Sequence, residues 1–226
     1  MFRIVILVLA LSFAEARERP RLNVYHFKIQ EWLTGDYQEK RAEIRRAKRL
    51  FKRLTKTKIL VRTYEKGGMV LDSYFGCLFW SSAPKDCLWG SYQELKVKSH
   101  YKINNTSHYF LYPPIKYQGS YWIGGAAITG CYKDHKWKRE MNYLSGVAYG
   151  NYLKTQVDGT TRIPHSIAIM MHEWGHLVYG LTHDGEEENY LMNSLFNVKG
   201  FSSQSAPELW RLSEKSKKEI RRCRGS

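Results

Sequence analysis

No part of the sequence restricts the fold more than HEWGHLVYGLTHD, which runs from His172 to Asp184. On a helix His172 and His176 are one turn apart on the same face, so both imidazoles reach one metal ion. Glu173 flanks the pair, placed to accept a hydrogen bond from a water at that metal without being a ligand itself. Gly180 ends the helix, because glycine takes the left-handed backbone that turns the chain back and lets His183 approach as third ligand. Three nitrogens and one open position fit a catalytic zinc (Zn2+) site. A structural site is normally closed by four ligands, often thiolates, and no cysteine lies nearby in sequence. Ile167, Met170, Met171, Trp174 and Val178 give this helix an apolar back, with Pro164 in its first turn, so the metal helix is packed into a core. His165, next to that proline, is not read as a ligand.

The chain has 226 residues, 43% hydrophobic and 14% aromatic, enough for one globular domain with a substantial core and short for two. Arg3, the apolar run Ile4 to Ala14 and the small residues around Ala16 read as a secretory signal over 1–16, leaving 17–226 as a single domain. The run is too short to span a bilayer. An exported, soluble chain is the expectation. The cysteines fit that oxidising destination: spacing favours Cys77 with Cys87 in a short loop, leaving Cys131 to tie Cys223, with free thiols or an intermolecular bond as alternatives. Asn104 and Asn105 are overlapping glycosylation acceptors. The formal charge of +15 points to anionic partners such as sulfated glycans, or to nothing beyond a solvated basic surface. Nucleic acid and membrane are not expected partners of an exported chain of this kind, and a monomer is expected.

In chain order, Leu22 to Ile29 suits a strand. Asp36 and Glu39 are spaced as an N-cap and its partner, before a helix with Ile44, Ala47, Phe51 and Leu54 on one stripe. Its other faces hold Lys40, Arg41, Arg45, Arg46, Lys48, Arg49, Lys52 and Arg53, a basic face that is solvated or glycan-binding. Lys58 to Tyr64 reads as a second strand, completing a strand–helix–strand unit with a parallel pair. The aromatic, cysteine-bearing stretch 73–90 reads as a loop or hairpin. Ser91 and Glu94 cap a further helix, and Tyr109 to Tyr112 is a strand stopped by prolines. Trp122 to Tyr132 (WIGGAAITGCY) is a strand whose glycines and alanines leave room for another backbone, such as a peptide substrate, to lie alongside; a bulge or tight packing is the alternative. Asp134 to Gly159 shows too weak a period for any element. Ser205 to Glu208 opens a terminal helix that Cys223 anchors, with Leu209, Leu212 and Ile220 toward the core.

With its third histidine and the Leu191-Met192 pair, this site resembles the metzincins, whose signature is HExxHxxGxxH followed by a Met-turn. Met192 is then the Met-turn residue. Asp184 directly after the third histidine is similar to the reprolysin (adamalysin) branch, which includes secreted venom and tick salivary metalloproteases. Gly124, Gly125 and Ala126 before Cys131 resemble that branch's substrate-binding edge strand, and FSSQS from Phe201 to Ser205 resembles the segment opening its last helix. The resemblance also implies a Cys131–Cys223 bond. It implies an α/β (α+β) catalytic domain: a mixed twisted sheet with an antiparallel edge strand, an active-site helix, a Met-turn and a C-terminal helix. One departure bears on the site. From His176 to His183 is a step of seven where the signature has six, so Tyr179 looks inserted; Asp184 or water would be the substitute third ligand. One extra helical residue turns the chain beyond it by about 100° and advances it about 1.5 Å.

The implied activity is hydrolysis of peptide bonds in extracellular or host proteins, with Glu173 as general base and the loop from Asn193 to Gly200 walling the pocket beyond the cut. The alternative is a catalytically inactive metzincin scaffold that binds glycans or host proteins through its basic surface. Retention of Glu173 argues against it, since a dead scaffold has no chemical reason to keep the base.

Overall fold

The computed structural model describes residues 19–27, 36–66, 107–112, 115–117, 121–123, 125–127, 129–133, 147–151, 165–184, 190–193 and 210–225. The 1–16 signal, the Cys77–Cys87 pair, Asn104 and Asn105, the Ser91 capping box, Gly124 and residues 194–209, Leu209 among them, lie outside them.

Strands β1 (Arg21–Phe27) and β2 (Leu60–Lys66) run parallel, Arg21 opposite Leu60 through Phe27 opposite Lys66, and helix α1 (Tyr37–Thr55) makes the crossover that a parallel pair requires. Asp36 starts α1 by accepting the N–H groups of Gln38 (2.9 Å) and Glu39 (3.1 Å), two donors that the first helical turn leaves unpaired. The helix closes at Lys56, which takes a left-handed φ of 56° and returns its N–H to the Lys52 carbonyl at 2.9 Å. Ile44, Ala47 and Phe51 are buried and Leu54 packs against the same core, the stripe that the sequence predicts. Lys40 corrects the expected basic face. It is 2% exposed, its ammonium 3.1 Å from the Glu43 carboxylate one turn on, so this pair leaves solvent together.

Strand β3 (Ser107–Tyr112) pairs parallel with the other side of β1. Two short strands come next as a separate antiparallel pair, β4 (Ile115–Tyr117) and β5 (Tyr121–Ile123). Strand β6 (Gly125–Ala127) lies antiparallel to β7 (Val147–Asn151), which runs parallel to β3, so the main sheet has the order β2-β1-β3-β7-β6. This is a mixed α/β fold, parallel with one antiparallel edge. Two expectations are corrected. The single strand over Trp122 to Tyr132 is divided between two sheets, and 129–133 is not strand beyond one bridge from Cys131 to Tyr179. Within the unassigned stretch 134–159, β7 exists because β3 and β6 pair with it on both sides.

Alternation along the strands sorts the sheet's two faces. Leu22, Val24, Tyr109 and Leu111 join α1 and helix α2 (His165–Tyr179) in one core, where Trp174 meets Phe51 and Tyr109 edge-on. On the other face Tyr25 stacks between Tyr64 and Phe110 and its hydroxyl lies 2.9 Å from His108 Nδ1. Burial holds His108 neutral, pushing its pKa down to about 3.

The last helix, α3 (Glu214–Gly225), begins later than the Ser205–Glu208 cap implies. Trp210 to Ser213 are not helical: Arg211 bridges Tyr190, its carbonyl accepts the Leu191 N–H at 3.1 Å, and Ser213 Oγ caps α3 by accepting the Ser216 N–H at 2.9 Å. Leu212 is still buried, ahead of the helix, and Ile220 on it. Cys223 is bonded to Cys131, their Cα atoms 5.6 Å apart, and Arg224 donates to Thr55 O and Thr57 Oγ1 at the end of α1. Among the described residues no helix is long and apolar enough to cross a membrane.

Candidate metal site

Helix α2 is buried almost all round, and its last turn is finished by its neighbours. Gly180 takes a left-handed φ of 66°, and Leu181 N–H reaches back to Gly175 O at 3.2 Å, the capping that a glycine after the last helical residue allows. The segment 130–132 satisfies two further carbonyls, through Gly130 N–H to His176 O (3.1 Å) and Tyr132 N–H to Val178 O (2.9 Å). A Cβ on Gly180 would meet the Gly130 backbone at 3.3 Å, so both conformation and space favour glycine there.

From this helix and the turn beyond it, three imidazoles converge. The Nε2 atoms of His172, His176 and His183 lie 3.1 to 3.3 Å from one another. Two nitrogens held about 2.0–2.1 Å from one zinc at tetrahedral angles are about 3.3–3.4 Å apart, so the triangle fits such an ion. The protons agree. His172 Nδ1 lies 2.7 Å from Leu191 O and His176 Nδ1 2.5 Å from Leu181 O. A carbonyl only accepts, so each Nδ1 carries the hydrogen and each neutral ring presents a bare Nε2 lone pair. The two lone pairs face each other at 3.1 Å, which a cation between them would relieve. Burial drives the His172 pKa well below its usual value and that of His176 down to about 4; His183 is lowered by burial and by the Lys215 ammonium. All three are therefore neutral near pH 7, the form that binds metal.

Met192 packs against α2 at Gly175, the residue before His176. It is fully buried, and its Sδ stands 2.6 Å from where a Cβ on Gly175 would be, so a side-chain-free position in the helix is what admits it. The turn that carries it runs from Tyr190 to Asn193, closed by Asn193 N–H to Tyr190 O at 3.2 Å. Glu173 is 4% exposed, and burial pushes its pKa up to about 8. Its Oε2 is buried with no hydrogen-bond partner among the described residues, a polar atom with bonding capacity to spare.

Tyr179, the extra residue of the motif, is the last residue of α2 and is 2% exposed, stacked on Phe51 and edge-on to Tyr132. The helix thus runs one residue longer into the core, and the turn after Gly180 still brings His183 to the other two rings. Asp184, the substitute ligand, points elsewhere: its Oδ2 accepts the Ser216 hydroxyl at 2.6 Å and its N–H donates to Met192 O at 2.8 Å. Of the substrate-strand residues, Gly125 and Ala126 lie in β6 at the end of the main sheet, paired to β7 on one side. Sequence reasoning missed the Leu181 and Leu191 carbonyls, because any residue type supplies a carbonyl. It missed the contacts of Lys215, Ser216 and Glu219 because they join positions 32 to 37 residues apart.

No family model matches the chain, and no curated protein does. Among solved structures it is similar to metalloproteinase-II from Bacteroides fragilis, with 15% identity and a TM-score of 0.53 over 92% of this chain and 54% of that one. It is also similar to a zinc-dependent peptidase from Methanocorpusculum labreanum, with 12% identity and a TM-score of 0.50 over 88% of this chain and 99% of that one. A chain in the structure of a chaperone–substrate complex matches at 12% identity and a TM-score of 0.50 over 91% of this chain. This chain spans 34% of the chaperone-complex chain and 54% of the Bacteroides protein. At such identities the likeness is one of fold. The fold of this chain is therefore one that zinc-dependent peptidases also have, and its three-histidine group is one that can hold a metal ion.

Proposed function

We propose that this chain is a zinc-dependent endopeptidase of the metzincin type, reprolysin-like in character, exported after loss of residues 1–16 and acting as a monomeric domain on extracellular proteins. The observation that carries the reading is the convergence of three neutral imidazoles, two with their protons committed to carbonyls, next in the helix to a buried carboxyl with one oxygen unpartnered among the described residues. Three protein nitrogens leave a tetrahedral ion one open position, the mark of catalytic rather than structural zinc. An ion held there supplies Lewis acidity, which lowers the pKa of water to about 7 and draws charge from a carbonyl oxygen.

The chain's own residues do the rest. Glu173 takes the proton from the attacking water at a carboxylate oxygen and returns it to the leaving amine nitrogen. Met192 packs against the helix at Gly175, and the carbonyl partners of His172 and His176 hold the rings in the ligating tautomer. An extended substrate adds alongside β6, where Gly125 and Ala126 put little in its way. The basic surface of α1 suits acidic substrates or sulfated glycans as secondary partners. The test is turnover of an unfolded protein by the full chain beside Glu173→Ala, with zinc quantified in both. Zinc in both and cleavage only by the parent is expected, with activity lost to a chelator and restored by zinc; zinc without cleavage in either would replace this reading with a binding scaffold.

A further inference from the structure

The third imidazole rides on a turn with little of its own in the core. Leu181 is buried at its start, and Asp184 is fixed at its end to the Met192 carbonyl and to Ser216. Thr182 and His183 between them are exposed. Both are gripped by α3. The Glu219 carboxylate accepts from Thr182 twice, from its N–H at 3.0 Å and from its hydroxyl at 2.6 Å, and the Lys215 ammonium donates to the His183 carbonyl at 2.6 Å. Lys215 and Glu219 are four residues apart, so they occupy one face of α3 with Ser216 between them. Cys223, one turn further along α3, is bonded to Cys131, whose segment caps the metal helix.

We infer that Glu219 is a positioning residue for the metal site: by holding both donors of Thr182, with Lys215 on the next carbonyl, α3 sets where His183 Nε2 lies relative to the two helical nitrogens. Tyr179 ends α2 and Gly180 turns the chain, so the exposed Thr182 and His183 take their course from contacts made outside the turn. Among the described residues the Thr182 N–H and hydroxyl have no partner other than Glu219. A carboxylate taking two donors of one residue constrains orientation as well as distance, which a single surface contact does not.

This inference rests on the metal-site reading above, and the experiment separates the two. Zinc affinity of the full chain is measured by competition with a chromophoric chelator, for the parent, His183→Ala, Glu219→Ala, Glu219→Gln and the Glu219→Ala/His183→Ala double variant. Glu219→Ala is expected to weaken zinc binding about tenfold, the low end for a residue that orients a ligand, because the contact is solvent-exposed. Glu219→Gln, which keeps an acceptor oxygen, recovers most of that loss, and in the His183→Ala background Glu219→Ala adds nothing, since the ligand through which it acts is gone. Parent-like affinity in Glu219→Ala, or the same loss in the double variant, overturns the inference. If Glu219→Ala does not fold, Thr182→Val carries the test: weaker binding supports the inference and unchanged binding overturns it. A parent that binds no zinc overturns the metal-site reading itself.

Discussion

Glu173 and the buried histidines impose opposite pH dependences on the metal-free protein. The Glu173 carboxyl ionises near 4.5 when unfolded and about 8 when folded, so between those values the native state binds more protons and stability falls as pH rises. For His108 and His176, held down to about 3 and about 4, the unfolded chain binds more protons below 6.5, so stability rises with pH up to that point. Above pH 6.5 the histidine slope fades over about one pH unit as the unfolded imidazoles lose their protons, while Glu173 takes away up to about 1.4 kcal/mol per pH unit until it ionises near 8. Urea melts of the metal-free chain should show this loss and Glu173→Gln should abolish it; an unchanged slope would mean that the carboxyl is not buried as a neutral acid. At Gly175 a methyl group would meet Met192 Sδ at 2.6 Å. Gly175→Ala should therefore cost about 1–3 kcal/mol in the same melts, and a neutral effect would mean that the methionine is not seated there. The histidine set was legible because helical spacing fixes two members and a glycine turn returns the third. Their carbonyl partners were not, since a backbone oxygen carries no residue signature.

At the scale of elements, α3 connects to the site at one end and, at the other, to the Cys131 segment and the end of α1. The Cys131–Cys223 bond closes a separation of 92 residues, a long loop whose closure restricts the unfolded chain. Replacing both cysteines with serine should lower stability by about 2–5 kcal/mol in denaturant melts, and a loss within error would show that α3 docks without the bond. Helices α1 and α2 could be read from sequence because each carries its own caps and apolar period. The short strands β4 and β7 could not, being three and five residues long and made strands by what pairs with them. The start of α3 was misplaced for a related reason: it is set by the Arg211–Tyr190 bridge and by the Ser213 cap, a tertiary contact and a local one that the apolar period does not single out.

For the whole molecule, a parallel sheet with one antiparallel edge buries an apolar layer against α1 and α2, and the three histidines that could hold a metal ion lie where α2 leaves that layer. The site is assembled from three separate pieces of chain: the helix, the Met192 turn and the α3 face that holds Thr182 and His183. The central claim is that these pieces present three imidazoles and one open position to a single zinc ion. X-ray absorption at the zinc edge of the metal-loaded full chain tests it most directly. The account predicts three imidazole nitrogens and one further oxygen or nitrogen at about 2.0–2.1 Å, with one imidazole lost in His183→Ala. Two imidazoles in the parent, or a sulfur ligand, would contradict it.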